Sequence, residues 1–279
     1  MRLLVAVLIV AFGFGEAGAQ LPEEIRVLAY NIHHGEGLDG TFDLPRIAKV
    51  IKSVSPHIVA LQEVDQGTRR AGGADQPAEL ARLTEMEVVF GRNIDYDGGG
   101  YGTAVLSSLP IRSHKSVKLR SFYVGTAQHP EQRGVQVVEL GSKEGPALWF
   151  LCTHLDYRPP DEVRMASAAT INDLAKKHGE ELMILAGDLN AEPNSRVIRE
   201  FAKQWKIAGA DAGGAKPQAA GKKRQLLTYP AGEPVKWIDY VLVRPAERWQ
   251  VVEVRVLDEP VASDHRPLLA VLRILGSKD

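Results

Sequence analysis

Asp188 and Asn190 stand two residues apart at the end of "LMILAGDLNAEPNS", residues 182–195, a run that opens almost entirely apolar. Such a run reads as a buried strand, and a carboxylate at its end is costly unless a partner or a ligand neutralises it. The same anomaly recurs along the chain. "RVLAYNIHHG" ends in Asn31, "IVALQEVD" in Glu63, and "LWFLCTHLD" in His154 and Asp156. "KWIDYVLV" carries Asp239 just inside its start, and "VASDHRPLLAVL" places Asp264 and His265 directly before an apolar run.

Side chains alternate faces along a strand. Asp188 and Asn190 are therefore expected to point the same way, as are His154 and Asp156, and Glu63 and Asp65. Convergence of these groups on one site is the economical explanation. Carboxylate, amide and imidazole together suit Mg2+ or Mn2+ and the oxygens of a phosphate. No Cys or His pair has zinc spacing, and HExxH is absent. A covalent route is not indicated either: "LSS" lacks the G-x-S-x-G elbow, and "GYGTAVLSSLP" lacks the Lys-Ser/Thr of a P-loop. For single residues a structural role stays open, such as a satisfied strand-end His154 or an Asp156 paired with Arg158 or Arg164.

The elements that must hold these groups follow from the pattern. Ten runs rich in Val, Ile, Leu and aromatics read as strands: "EIRVLAYNI", "HIVALQEV", "EVVFG", "GTAVLS", "RGVQVVEL", "ALWFLCTHL", "LMILAGDLN", "WIDYVLV", "WQVVEVRVL" and "RPLLAVLRIL". Between them, "DLPRIAKVIKSV" puts Ile47, Val50, Ile51 and Val54 on one helical face, with Asp43 as a cap ahead of the proline. "QPAELARLTEM", "DEVRMASAATINDLAKKHG" and "SRVIREFAKQW" are helical in the same way. Strands and helices in mixed order imply two packed sheets with helices outside.

Loops supply further candidates. Arg69 and Arg70 lie in the Gly-rich "QGTRRAGGADQ", and Arg133 opens a strand. Arginine suits bidentate phosphate binding, so all three are candidate substrate contacts beside solvated or ion-paired alternatives. His33 shares a face with Asn31 and can approach the site as a candidate substrate contact, while an exposed loop position beside Gly35 and Gly37 is the alternative for both His33 and His34. Tyr101 and Gly102 in "DGGGYGTAVLS" are expected to form a turn at the rim. The aperiodic "DAGGAKPQAAGKKR" reads as an exposed loop, its Lys222, Lys223 and Arg224 a solvated cluster by default.

Composition narrows the classes. The chain has 279 residues, is 44% hydrophobic and 25% charged, and carries a formal net charge of −1. That suits a soluble globular protein with a substantial core and provides no global positive field to recruit nucleic acid. "MRLLVAVLIVAFGFGEAGAQ" has a basic start, a short apolar run and Ala17-Gly18-Ala19, the form of a signal peptide cleaved near Ala19. An uncleaved anchor is the alternative. The mature chain, residues 20–279, is expected to form one domain, secreted or periplasmic, without a membrane span. Cys152, the only cysteine, lies in an apolar strand and reads as a small buried hydrophobe.

The pieces "YNIHHG", "LQEVD", "YGTAVLS", "THLD", "GDLNAEP", "IDYV" and "SDHRP" follow one another in the order found in the endonuclease/exonuclease/phosphatase family, across residues 26 to 273. The chain resembles that family, and in "NIHHG" and "GGYGTAVLS" its bacterial branch of metal-dependent hydrolases. The resemblance implies a four-layer αββα sandwich of two mixed sheets, with the site at one edge of both. It implies Mg2+ (or Mn2+) at Glu63 and Asn31 with help from Asp264. It also implies Asp188 and Asn190 positioning water and a phosphate oxygen, Asp239 orienting His265, and a catalytic His154. The implied reaction is in-line attack of water on phosphorus. Substrate class stays open between a small phosphoester, a lipid head group and nucleic acid, and diester stays open against monoester. A monomer is expected. A catalytically silent binding module of the same fold would have lost one of these polar residues, and none is missing.

Overall fold

The computed structural model describes residues 20–122, 131–210 and 226–276. The expected leader, residues 1–19, and the lysine-rich loop at 211–224 fall outside these. In chain order the elements are β1 (Glu24–Asn31), α1 (Leu44–Lys52), β2 (Ile58–Gln66), α2 (Gln76–Thr84), β3 (Glu87–Tyr96) and β4 (Gly99–Ser107). Then come β5 (Ile111–Lys118), β6 (Gly134–Leu140), β7 (Leu148–His154), α3 (Glu162–Lys176), β8 (Leu182–Asp188) and α4 (Arg196–Ala202). The two-residue β9 (Lys206–Ile207), β10 (Asp239–Arg244), β11 (Trp249–Val256) and β12 (Leu268–Ile274) complete them.

The strands form two six-stranded sheets, ordered β11-β12-β1-β2-β4-β3 and β5-β6-β7-β8-β10-β9. Each sheet has one parallel pair, β1 with β2 and β7 with β8, and both are otherwise antiparallel. Alternation explains the stacking. Val27 and Ala29 of β1 face Phe150, Cys152, Ile184 and Ala186 of the second sheet, forming the layer between the sheets. Leu28 and Tyr30 point the other way, onto Ile47 and Ile51 of α1 and Leu80 of α2. On the far side, Leu151, Met183 and Leu185 pack against Ile171 of α3 and Val197 and Phe201 of α4. Strands covered on both faces read as continuous apolar runs, which is why these are so legible. The result is the αββα sandwich expected from the sequence.

Helix starts follow the capping chemistry. The Asp43 carboxylate accepts from the Arg46 amide at 2.8 Å and Ser195 Oγ accepts from the Ile198 amide at 3.2 Å. One expectation about the strands needs correction, and β5 and the two-residue β9 are strands beyond the ten runs read from the sequence. β5, "IRSHKSVK", is a mostly exposed edge strand whose outer side meets water, so it carries no apolar run. Tyr101 and Gly102 are not a rim turn but lie within β4, where a Cβ on Gly102 would fall 1.9 Å from the Gly91 carbonyl oxygen of β3. Among the described residues no helix is long and apolar enough to cross a membrane.

Candidate active site

The strand register assembles the first part of the site. Parallel pairing of β7 with β8 sets His154 beside Asp188, and antiparallel pairing of β10 with β8 sets Asp239 beside Asp188 on the other flank. Three strand ends thus present one row of polar groups. His265, just before β12, joins from the other sheet. Its Nδ1 donates to Asp239 Oδ2 at 2.9 Å, and its Nε2 lies 3.7 Å from Asp188 Oδ2. His154 Nε2 lies 3.5 Å from the same Asp188 oxygen. Gly187 is what lets β8 come so close: its φ is +145°, and a Cβ there would sit 2.0 Å from the Thr153 carbonyl oxygen.

Asn31, at the end of β1, ties the two sheets together. Its amide donates to Glu63 Oε1 at 3.0 Å and to Asp188 Oδ2 at 3.3 Å. Glu63 reaches this position through a bulge: the β2–β4 register shifts between Leu61 and Val64, and Glu63 has φ +56°. The bulge breaks simple alternation. Asp65 therefore does not share the direction of Glu63; it is fully buried and accepts from Thr68 Oγ1 and Arg70 Nε, both at 2.7 Å. Asn190 arrives by a turn rather than by strand alternation, with φ +47° and its backbone amide donating to Asp188 Oδ1 at 2.8 Å.

These groups border a cleft of about 620 Å3 lined by Glu63, His154, Asp188, Asn190, Asp264 and His265, with Arg133 and Glu131 on one wall. Asn31 and Asp239 stand immediately behind that surface. The arginine pair does not line the cleft. Arg70 is bound to Asp65 through two nitrogens and stacks over Tyr96, and the more exposed Arg69 pairs with Asp97. Asp156 is bound by Arg158 at 3.0 Å, the ion-paired alternative considered for it. His33 lies behind Asn31, its backbone amide donating to Asn31 Oδ1 at 3.1 Å. Tyr101, Tyr157, Tyr229, Arg164 and Lys236 also border the cleft. The last four come from loops or a helix face, where no strand-end anomaly marks them.

Electrostatics follow from burial. Asp188 is fully buried, and burial, then the charge of Asp239, raise its pKa well above the usual carboxylate range. Burial alone would lower the pKa of His265, but Asp239, by charge and hydrogen bond, outweighs it and carries the imidazole to about 10. Asp264 is raised as well, mainly by burial. His154 is held well below its ordinary value by burial, then by Arg133 and His265.

A divalent cation fits this donor set. Buried carboxylates forced upward in pKa are relieved by a neighbouring cation. Among the described residues two clusters have ligand atoms within 4.8 Å of one another: Asp188, Asp239 and His265, in which the imidazole is held as a proton donor by Asp239 and leaves only carboxylate oxygens as ligands; and His33, His34 and Glu63. Each contains a buried atom without a hydrogen-bond partner, Asp239 Oδ1 and His34 Nδ1. The buried His34, read from the sequence as a loop residue, thus belongs to the Glu63 side of the site.

Comparison with known proteins shows the family and the fold. The model of the Endonuclease/Exonuclease/phosphatase family matches residues 28–265. The uncharacterized protein YbhP of Escherichia coli K12 is 28% identical over 260 residues, 89% of this chain and 96% of that protein. A 5'-tyrosyl-DNA phosphodiesterase of Caenorhabditis elegans is 27% identical over 200 residues, 67% of this chain and 49% of that longer protein. The crystal structure of an endonuclease/exonuclease/phosphatase family protein from Bacteroides thetaiotaomicron superposes with a TM-score of 0.71 at 18% identity, covering 92% of this chain and 100% of that one. With all seven motif pieces inside or overlapping the matched span and the αββα layers in place, this chain belongs to the endonuclease/exonuclease/phosphatase family, whose members are hydrolases of phosphate esters.

Proposed function

We propose that the chain is a divalent-metal-dependent phosphodiesterase that hydrolyses a small phosphodiester by in-line attack of water. The observation that carries this reading is the bridge made by Asn31, which draws Glu63 of one sheet and the Asp188 row of the other around one cleft. Glu63 and Asn31, with Asp264 alongside, would hold the cation, and His33 and His34 flank Glu63. When bound, the ion supplies positive charge to a phosphoryl oxygen and to the developing negative charge.

The remaining chemistry belongs to the chain. Asp188, whose proton affinity is raised by burial and by Asp239, suits removal of a proton from the attacking water near neutral pH. Asp239 holds His265 as an imidazolium directed at the cleft, a fixed positive group beside the phosphoryl oxygens. Asn190 and His154 place hydrogen bonds on the opposite side.

The wall of the cleft favours a diester monoanion over a polyanion or a dianionic monoester. Glu63, Glu131, Asp161, Asp188, Glu192 and Asp264 border it against the cations Arg133, Arg164 and Lys236 and the His265 imidazolium, six acids to four cations, so the cleft is acidic without its ion. Tyr101, Tyr157 and Tyr229 provide apolar faces for the alcohol portions. A nucleic-acid substrate would ask for a basic flank instead. A monomer is part of this reading, and a dimer in light scattering would contradict it. Residues 1–19 would direct the chain out of the cytoplasm and be removed; N-terminal sequencing of the exported protein starting near Gln20 would support this, and retention of Met1 would contradict it.

The test is turnover of a panel by residues 20–279: bis-p-nitrophenyl phosphate, p-nitrophenyl phosphate, supercoiled plasmid and a choline phospholipid, each with Mg2+, Mn2+ or EDTA. Preferential metal-dependent cleavage of a small diester is expected. Nicking of plasmid with no small-diester cleavage would instead identify a nuclease.

A further inference from the structure

Arg133 is more than the cation on the wall. It stands just ahead of β6, whose register pairs Val135 with Thr153 and so brings the strand's start against the end of β7, where His154 sits. The side chain is almost wholly buried, forms an ion pair with Glu131 at 3.1 Å, and places Nη1 2.9 Å from His154 Nδ1.

That short contact determines where the imidazole proton is. A guanidinium has only donors and does not lose its proton in proteins. A hydrogen on Nδ1 would meet the arginine hydrogen head to head in a buried site, with no room for water to separate them. Asn190 Nδ2, a neutral donor 3.1 Å from Nε2, competes for the ring's one lone pair, but the contact to the fixed guanidinium is shorter and charge-assisted, so Nδ1 accepts and the neutral ring carries its hydrogen on Nε2. At the other edge of the ring, Nε2 lies 3.1 Å from Asn190 Nδ2, and that amide nitrogen already donates to the Leu155 carbonyl at 3.0 Å. Two N–H groups thus stand side by side at the cleft, and the nearest anionic acceptor, Asp188 Oδ2, is 3.5 Å from Nε2. A pair of adjacent donors without a close acceptor is the arrangement that an anionic oxygen completes.

We propose that Arg133 is a positioning residue that locks His154 in the neutral Nε2–H tautomer, so that His154 and Asn190 together donate to one non-bridging phosphoryl oxygen and His154 does not protonate the leaving group. The proposal rests on the phosphoesterase reading for its ligand, but the tautomer can be read without any turnover. Burial and the positive charges of Arg133 and His265 both oppose protonation of this ring, in keeping with a donor that stays neutral.

The first measurement is two-bond 1H–15N correlation NMR of 15N-histidine-labelled protein, residues 20–279, with His154 assigned by the resonance lost in His154→Gln. A pyridine-type shift at Nδ1 and a pyrrole-type shift at Nε2 are expected. In Arg133→Gln, whose amide can accept as well as donate, both tautomers should appear. A ring protonated at Nδ1, or at both nitrogens at pH 7, overturns the proposal whether or not the enzyme is active.

Kinetics on bis-p-nitrophenyl phosphate and diphenyl phosphate then separate donor from acid. His154→Ala should lower kcat by ~10²–10³-fold, the loss typical of one oxyanion donor, and by the same factor for both leaving groups. His154→Gln, which restores an N–H but transfers no proton, should recover about tenfold or more of that loss. A loss markedly larger with the poorer phenolate leaving group, and no recovery in His154→Gln, would make His154 a general acid and overturn the proposal. Absence of turnover on every ester would count against the function proposed above and leave the NMR result as the arbiter of the tautomer.

Discussion

Replacing Asp239 with Asn keeps the size of the side chain and removes the charge that organises the row. In the wild-type structure Asp239 Oδ2 accepts from His265 Nδ1 at 2.9 Å, and the imidazole is raised from 6.5 to about 10. That rise corresponds to roughly 5 kcal/mol at about 1.4 kcal/mol per pKa unit, the net of burial, which opposes it, and of Asp239, helped by Asp188 and Asp264. Breaking a buried ion pair from one side costs ~3–5 kcal/mol, so the two routes to the magnitude agree. For Asp188 two effects oppose, since the upward push of Asp239 and the downward pull of the His265 charge are lost together, so the expected loss rests on His265. Asp239→Asn is therefore expected to lower kcat by ~10²–10⁴-fold, the range for loss of positioned acid–base groups, with a smaller change in KM. The assay is steady-state hydrolysis of bis-p-nitrophenyl phosphate, accompanied by NMR of the His265 ring and by thermal melting. Wild-type kcat together with an imidazolium at His265 at pH 8 in this variant would refute the reasoning.

Other expectations follow from the same geometry. Because Asp188 and His265 are both raised, these two groups hold more protons in the folded protein than in the unfolded chain between about pH 4 and pH 10, while below about pH 6.5 the lowered His34, His57 and His154 act the other way, so the net effect is read above pH 7. The stability these groups contribute is complete at the acid end of that window and is lost as pH rises; melting of the EDTA-treated protein should show the fall, and saturating Mn2+ should flatten it. His33 and His34 beside Glu63 add imidazole donors that Mn2+ accepts more readily than Mg2+; calorimetry should find tighter Mn2+ binding, and His33→Ala should weaken Mn2+ by more than Mg2+. Gly187→Ala puts a methyl 2.0 Å from the Thr153 carbonyl oxygen and should displace Asp188, costing ~1–3 kcal/mol in urea unfolding and much of kcat. Arg70→Ala leaves Asp65 buried without its cation, so melting temperature should fall while KM stays unchanged; a raised KM would return Arg70 to the substrate.

How much was legible depended on what each residue was read against. Asn31, Glu63, His154, Asp188 and Asp239 stand out because each interrupts an apolar run, and His265 because it directly precedes one, and strand ends in two stacked sheets have few places to go. Asp65 and Glu63 looked equivalent under strict alternation, and only the bulge at Glu63 separates them. Bulges depend on how two strands meet, which one strand's pattern does not contain. Arg69 and Arg70 lie in a loop near a strand end, but Asp97, just after β3, and Asp65, five residues before Arg70, take them first. Arg133 was visible as a cation at a strand start, yet its contact with His154 depends on the β6–β7 register. The edge strand β5 was silent because water, not a core, meets most of its side chains.

The most direct test of the central claim is turnover of bis-p-nitrophenyl phosphate by residues 20–279, measured with saturating Mn2+, after EDTA, and again with Mn2+ restored, alongside Asp188→Asn. The account predicts hydrolysis that vanishes with EDTA, returns with Mn2+, and is lost in Asp188→Asn while that variant still folds. Hydrolysis indifferent to EDTA, or undiminished in Asp188→Asn, would contradict it.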